Sequence, residues 1–320
     1  MHAGVNRSHS GVMSSSLVNG LSGLSGALAA LVKQASPGVV AVKSAAYRVT
    51  SGIRLESDLI AVANHALRRE ESVPVQSADG VEARATVIGR ETGLDVAILK
   101  AEGLGGRVLE PANAESLETG SLALVVGMTA DVGATASLGV IGASGPERKF
   151  WRGGRLDRFL RLDVNLYPSQ AGAAAISADG RLIGMTTPAL SRHSTIAVPV
   201  TTIARIAREL VEQGRIRRGY LGIGVQPISL PDELQNALKG AKHTGLILLS
   251  VEAGSPAHEA GLQLGDILAL FDGKPMSDID DLQDALRGDV VGREAKLVLL
   301  RGGKPVEVQL KVRERNQSRR

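Results

Sequence analysis

The sequence predicts a mainly β protein: a long all-β region that closes into a barrel or sandwich, then a small α+β module. From Gly38 to about Ala197, short apolar runs recur between turn residues. They are Val39-Val-Ala-Val-Lys43, Leu59-Ile-Ala-Val62, Ala85-Thr-Val-Ile88, Val96-Ala-Ile-Leu99, Ser121-Leu-Ala-Leu-Val-Val126, Gly139-Val-Ile-Gly142 and Leu182-Ile-Gly-Met185. The dipeptides Asp79-Gly80 and Asp179-Gly180 are hairpin signals between such runs. Helical periodicity returns at 201–213, where Ile203, Ile206, Leu210 and Val211 form one apolar stripe that stops at Gly214.

Before the first strand, Leu24, Leu28, Leu31 and Val32 recur at helical spacing, and Pro37 ends that helix because the residue before a proline avoids helical geometry. Residues 1–23 are expected to be disordered. Gly, Ser and Asn interrupt the apolar stretch from Leu17 to Val32, so a cleaved secretory signal is the weaker reading. The first domain is placed at 24–213, including its closing helix. The second spans 214–314, with strands at Leu246-Ile-Leu-Leu-Ser-Val251, Ile267-Leu-Ala-Leu270, Lys296-Leu-Val-Leu-Leu300 and Val306-Glu-Val-Gln-Leu310, and helices near 231–239 and 278–287. A basic tail occupies 315–320.

Hydrophobic residues make up 43% of the 320 and aromatics only 2%, so the cores must be aliphatic and packed through small side chains. The net charge of +4, from 37 basic against 33 acidic residues, is too small to argue for nucleic acid. With no cysteine there is no disulfide framework, no thiolate metal site and no thiol nucleophile. Neither a cofactor nor a metal is expected. No apolar run approaches the ~20 residues that span a bilayer, so a soluble chain is expected, with a cytoplasmic location slightly favoured over a periplasmic or cell-envelope one.

Ala63-Asn64-His65-Ala66 ends one strand, and Leu94-Asp95-Val96-Ala97-Ile98-Leu99-Lys100 opens another. A hydroxyl becomes a nucleophile only when an imidazole takes its proton, and the imidazole needs a carboxylate to fix its tautomer. His65 and Asp95 supply those two residue types, although in isolation a histidine at a strand end is more often structural and an aspartate before such a strand is often a turn residue. Further on, a third segment reads Leu166-Tyr-Pro-Ser-Gln-Ala-Gly-Ala-Ala-Ala175.

These motifs resemble the HtrA/Deg family of trypsin-like serine proteases, which read roughly T-N-x-H-V, D-x-A-V-L-K and G-N-S-G-G-P-L at the three positions. The resemblance extends from about residue 24 to 313 and includes Ser36-Pro-Gly-Val-Val40, Ser177-Ala-Asp-Gly-Arg-Leu-Ile-Gly184 and Ala197-Val-Pro-Val200. It implies a trypsin-like double β-barrel, with His65 as general base, Asp95 as its orienter and Ala171 in place of the nucleophile. It also implies an oxyanion hole built from Ser169, Gln170 and Ala171, with N–H groups from 169 and 171. The family's Gly, Asn and Gly-Pro are here Ser169, Gln170 and Ala173-Ala174, so several departures coincide and a single exchange of a native serine does not account for them. A catalytically inactive homologue is expected. The alternative is an active serine endopeptidase, through Ser169 or through a serine native to position 171.

Arg217-Arg-Gly-Tyr-Leu-Gly-Ile223, Ser250-Val-Glu-Ala-Gly-Ser-Pro-Ala-His-Glu-Ala-Gly-Leu262 and Gln263-Leu-Gly-Asp-Ile-Leu-Ala-Leu-Phe-Asp-Gly-Lys-Pro275 resemble a PDZ domain, as found after HtrA-type protease domains. That likeness implies strand addition by a C-terminal peptide. Tyr220, Leu221, Gly222 and Ile223 would hold the carboxylate and last side chain, and Ile279, Leu282 and Leu286 would line the groove or simply form core. Asp278, Asp280, Asp281 and Asp284 favour a basic ligand or form a solvated face, the latter preferred. Residues 148–161 hold six basic residues and three of the seven aromatics, and are expected to be a solvated loop, with contact to the PDZ module as a further expectation involving Trp151. The expected partners are polypeptide substrates or C-terminal peptide ligands, in a quality-control or adaptor role by analogy. The resemblance implies trimers formed through N-terminal aromatics, which residues 1–46 lack, so a trimer is not expected and a homo-oligomer is left open.

Overall fold

The computed structural model describes residues 10–44, 49–113, 117–150, 154–191, 193–213, 219–230, 243–286 and 290–314. The chain divides into two compact units, Met1–Arg148 with Arg155–Gly214, and Lys149–Gly154 with Arg215–Arg320.

The first unit opens with helix α1 (Ser10–Ala35), which a 3-10 turn at Ser36–Gly38 leads into the first strand. Pro37 stops the helix as expected, but the helix begins at Ser10, inside the stretch expected to be disordered. Leucines continue upstream of Leu24 at the same spacing and outweigh the glycines and serines between them.

Six strands then close a barrel: β1 (Val39–Val42), β2 (Thr50–Arg54), β3 (Leu59–Ala63), β4 (Ser72–Gln76), β5 (Glu82–Glu91) and β6 (Val96–Lys100), in spatial order β1-β2-β3-β6-β5-β4. Val40, Val42, Ile60, Val62, Val73, Val75, Ala97 and Leu99 fill it. Helix α2 (Asn64–Leu67) follows directly on β3 and carries His65.

A second closed barrel is built from β7 (Leu122–Thr129), β8 (Gly133–Gly145), β11 (Phe159–Asp163), β12 (Ala174–Ser177), β13 (Leu182–Thr187) and β14 (Thr195–Pro199). Between β8 and β11 lies a short ribbon of β9 (Arg148–Phe150) and β10 (Gly154–Leu156). The second core holds Val125, Ile141, Leu160, Leu162, Ile183 and four alanines, Ala123, Ala173, Ala175 and Ala197, so small side chains do the close packing that a chain poor in aromatics requires. Each fully buried aliphatic side chain is worth roughly 1.5–3 kcal/mol relative to exposure. Strand β1 is buried along its whole length because its outer face lies against β7.

Helix α3 (Val200–Gln213) buries Ile203, Ile206 and Leu210, and Leu210 packs so closely on β5 that a β-carbon at Gly89 would sit 2.6 Å from its Cδ2. Val211 does not join the stripe. It is exposed, because it lies one residue round the helix from Leu210.

The second unit contains β15 (Gly219–Tyr220), β16 (Ile223–Ser229), β17 (Thr244–Val251), helix α4 (Pro256–Glu259), β18 (Ile267–Phe271), β19 (Lys274–Pro275), helix α5 (Ile279–Ala285), β20 (Glu294–Arg301), β21 (Lys304–Lys311) and β22 (Arg313–Glu314). The main sheet runs β16-β17-β18-β20-β21, which makes β16 an end strand, and β15 pairs with β22. Leu246, Leu248, Leu268, Phe271, Leu282, Leu297 and Leu299 form the core. Asp266, fully buried, is tied by Arg301 through Nε (2.8 Å) and Nη2 (2.7 Å). The helix expected near 231–239 and the tail at 315–320 lie outside the described residues.

Candidate active site and peptide groove

His65 and Asp95 meet where β3 ends and β6 begins. Asn64 donates its N–H to the Asp95 carbonyl at 3.0 Å, which locks the two segments together. The buried Asp95 carboxylate accepts three hydrogen bonds: from the His65 N–H (2.8 Å), from His65 Nδ1 (2.7 Å) and from Thr187 Oγ1 (2.5 Å). A carboxylate only accepts, so Nδ1 carries the imidazole proton and Nε2 is left as the acceptor nitrogen. Asp95 adopts a left-handed backbone (φ +58°), a conformation aspartate tolerates better than most residues. Asn64 is fixed in turn by Arg90, whose Nη1 donates to its Oδ1 at 2.9 Å while Nη2 reaches the Glu70 carbonyl. Burial pulls the Arg90 guanidinium below its ordinary pKa, and the neighbouring Glu70 works against that shift. Neither Thr187 nor Arg90 stands out in the sequence, since a strand threonine and a strand arginine carry no local motif.

Ala171 is buried and packs in one cluster with Ala63 and Ala66, the residues that bracket Asn64-His65. The position is therefore beside the histidine, but it presents a methyl group. Gly172 follows with φ +79°, where a β-carbon would lie 2.2 Å from the Ser51 carbonyl, so only glycine fits.

Residues Pro168–Gln170 form a 3-10 turn. Gln170 N–H donates to the Tyr167 carbonyl at 2.8 Å, and Ala171 N–H donates to the Pro168 carbonyl at 3.3 Å. An oxyanion hole needs the N–H of position 171 aimed at substrate; here a carbonyl oxygen, itself an acceptor, takes that donor. The turn is held from outside as well. Ser51 Oγ donates to the Ser169 carbonyl at 2.7 Å, and Thr50 Oγ1 and Ser51 N–H both donate to the Ala171 carbonyl, at 2.6 and 3.1 Å. Gln170 is fully buried, its Oε1 accepting from Ser137 Oγ (2.9 Å) and Tyr167 N–H (3.1 Å).

In the second unit the 220–223 loop is anchored by its carbonyls. Leu221 O accepts from Ala257 N–H (2.9 Å) and Gly222 O from Glu252 N–H (2.8 Å), and among the described residues no backbone carbonyl accepts from the N–H of Leu221 or Gly222. Tyr220 Oη donates to Glu252 Oε2. Ile223 begins the end strand β16, and α5 packs against that strand. Along α5, Ile279 is exposed, Leu282 is buried in the core, and Leu286, just past the helix, is half-buried against it. Asp278 is the N-cap of α5, accepting from Asp281 N–H at 2.8 Å, while Asp281 accepts from Ser277 N–H at 2.8 Å. Asp284 pairs with Lys149. Asp280 is pushed up from its ordinary pKa by burial and by Asp278, Asp284 and Asp281, with Lys149 opposing. Four other basic residues of 148–161 bind locally: Arg148 stacks over Phe159 at 4.4 Å, Arg155 pairs with Glu147, and Arg158 and Arg161 bond Ser144 Oγ and the Gly142 carbonyl, while Arg152 lies outside the described residues. Trp151 lies outside the described residues. Among the described residues no cluster of His, Asp or Glu suits a metal ion, and no helix is long and apolar enough to cross a membrane.

A trypsin-like peptidase domain model matches residues 50–185, and a PDZ domain model matches residues 219–312. The periplasmic pH-dependent serine endoprotease DegQ of Escherichia coli (strain K12) is 29% identical over 253 residues, 77% of this chain and 55% of the relative. The periplasmic serine endoprotease DegP of the same strain is 26% identical over 276 residues, 84% of this chain and 57% of the relative. The chain thus spans little more than half the length of these relatives. Among solved structures, the HtrA-type protease AlgW with decapeptide has a TM-score of 0.70 at 22% identity, covering 90% of this chain and 99% of that one. The serine endoprotease from Yersinia pestis has a TM-score of 0.73 at 23% identity, covering 90% and 98%. The expectation of a cytoplasmic location is overturned here, because the curated relatives matched are periplasmic proteins. The chain thus carries a trypsin-like peptidase domain followed by a PDZ domain, and its sequence likeness to the serine endoproteases DegQ and DegP runs through both.

Proposed function

We propose that this chain is a peptide-binding HtrA/Deg homologue without peptidase activity, acting in the periplasm as its relatives' names suggest. The observation that carries the proposal is the state of residues 168–171. Position 171 offers a methyl group beside His65, and the N–H needed for an oxyanion is bonded to the Pro168 carbonyl. Loss of the nucleophile removes the covalent route and leaves at most the ~10³–10⁴-fold effect of oxyanion hole and binding. With the hole closed, even that residue of catalysis falls away. His65, Asp95 and Thr187 then serve as a structural pin between the barrels.

Binding is assigned to the PDZ unit. An end strand at β16 accepts an added peptide strand, and the N–H groups of Leu221 and Gly222 meet its terminal carboxylate. Unfolded segments and C-terminal peptides are the ligand class, which fits an adaptor or quality-control role. The rival is an active serine endopeptidase, and what favours it is the intact His65–Asp95 geometry. Digestion of fluorescent casein by the full chain decides between them: the expected rate equals the buffer blank. Cleavage that disappears in His65→Ala would establish the rival.

A further inference from the structure

Arg54, the last residue of β2, is only 2% exposed, and a guanidinium does not shed its charge when buried. Its Nη1 donates to the Ser57 carbonyl at 2.7 Å, but Nε and Nη2, equally shut from solvent, meet no acceptor in the protein. Burial pulls its pKa down, and the charge of Asp79 opposes that shift from a distance. The Asp79 carboxylate is itself taken up by the Ser77 hydroxyl. Residues 101–107, which lead away from β6, pass over the free edge of Arg54. Ala101 N–H bonds the Asp58 carbonyl at 2.8 Å, Leu104 sits in the core of the first barrel, and Arg107 N–H bonds the Pro37 carbonyl at 3.1 Å. Gly103, Gly105 and Gly106 lie between these anchors with φ of +71°, +66° and +97°. A β-carbon at Gly106 would stand 3.1 Å from Nε and 3.5 Å from Nη2, so bare backbone covers the guanidinium, and Gly105 and Gly106 are exposed on its outer side. Among the described residues no backbone carbonyl accepts from the N–H of either glycine.

We infer that Arg54 and the backbone of Gly105 and Gly106 form a binding site for a small oxyanion, a phosphate or a carboxylate, sharing no residue with the His65–Asp95 pair or the peptide groove. The Nε–Nη2 side of a guanidinium is an edge that takes two oxygens of one such group in parallel hydrogen bonds. An uncompensated buried charge is costly, and an anion on that edge offsets the cost. Glycines let a backbone come close to an anion, so the two N–H groups complete its ring of donors. Three of the four residues from 103 to 106 are glycine, so the cover parts by backbone rotation with no side chain to displace above Arg54.

Titration of the full chain with inorganic phosphate from ~0.1 to ~50 mM, at an ionic strength held with sodium chloride, tests this across the millimolar affinities that a single arginine supports. The Arg54 Nε–H and the Gly105 and Gly106 amide resonances should shift together and saturate, a readout that needs no variant. A parallel titration with sodium acetate ranks carboxylate against phosphate, and the tighter of the two names the ligand. Arg54→Lys keeps the charge without the paired edge and should weaken binding at least ~10-fold. Arg181→Gln, which removes a half-exposed guanidinium already paired with Asp179, should leave binding unchanged. The inference is overturned if neither anion gives a saturable shift, or if saturation is the same in Arg54→Lys. It also falls if phosphate binds only to Asp79→Asn, because Asp79 would then already hold the edge.

Discussion

Restoring serine at position 171 should recover little activity. The Ala171 methyl already lies against Ala63 and Ala66, so a serine hydroxyl in its place would stand beside His65, and the nucleophile–base pair would be rebuilt. The hole would not. Opening it requires breaking the Ala171 N–H bond to the Pro168 carbonyl and turning the Pro168–Ser169 peptide, while Ser51 Oγ holds the Ser169 carbonyl at 2.7 Å. The β-carbon of Ser169 further resists an orientation that glycine accepts. A missing oxyanion donor costs ~2.7–4 kcal/mol, or ~10²–10³ in rate. Initial rates on a fluorogenic peptide should therefore stay near the blank for the parent. They should rise only slightly for Ala171→Ser, and by a further ~10²-fold when Ser169→Gly is added. Ala171→Ser alone reaching a kcat/KM of ~10⁴ M⁻¹s⁻¹, the low end for ordinary enzymes, would refute the closed-hole argument.

Three further outcomes are expected. Thr187→Val removes the hydroxyl that donates to Asp95 and leaves a buried carboxylate one bond short, so thermal unfolding should show a loss of ~1–3 kcal/mol; an unchanged melting curve would contradict the pin. Gly222→Ala should weaken binding of C-terminal peptides at least ~10-fold, because the position has φ +79° and a β-carbon would sit 2.1 Å from Ser255 Cβ; unaltered affinity in a titration would remove the loop from the site. Asp266 links stability to pH. Burial pushes its pKa up, but hydrogen bonds from Arg301 and the Gln263 N–H, with the Arg301 charge, carry it below the ordinary 3.8. A depressed carboxyl stabilises fully above the unfolded pKa and loses that contribution as pH falls through the folded one. The PDZ unit should accordingly weaken below about pH 4, and Asp266→Asn should flatten that acid limb in denaturant titrations.

Seven of the twelve barrel strands (β1, β3, β5, β6, β7, β8 and β13) and the His65 and Asp95 segments were legible because each carries its signal locally, as an apolar run or as a short motif at a strand end, whereas β2, β4, β11, β12 and β14 carry no such continuous run. The closed turn at 168–171 was not. It depends on Thr50 and Ser51, more than a hundred residues upstream, whose hydroxyls look like ordinary strand residues in sequence. Thr187 was hidden for the same reason, since only the placement of β13 brings it to Asp95. The start of α1 was missed because glycine and serine read as breakers, although the leucine spacing ran straight through them. Two of the aspartates considered as ligand contacts were readable in retrospect: Asp278, preceding an amphipathic run, is a helix cap, and Asp281 bonds back to Ser277 N–H.

The central claim is that the chain holds peptides without cutting them, and one measurement addresses both halves. A fluorescent peptide with a free C-terminus is incubated with the full chain, its anisotropy is followed for hours, and its mass is then read. The account predicts a stable rise in anisotropy that is lost when the C-terminus is amidated, with the peptide recovered intact. A falling anisotropy with cleaved products, abolished by His65→Ala, would contradict it.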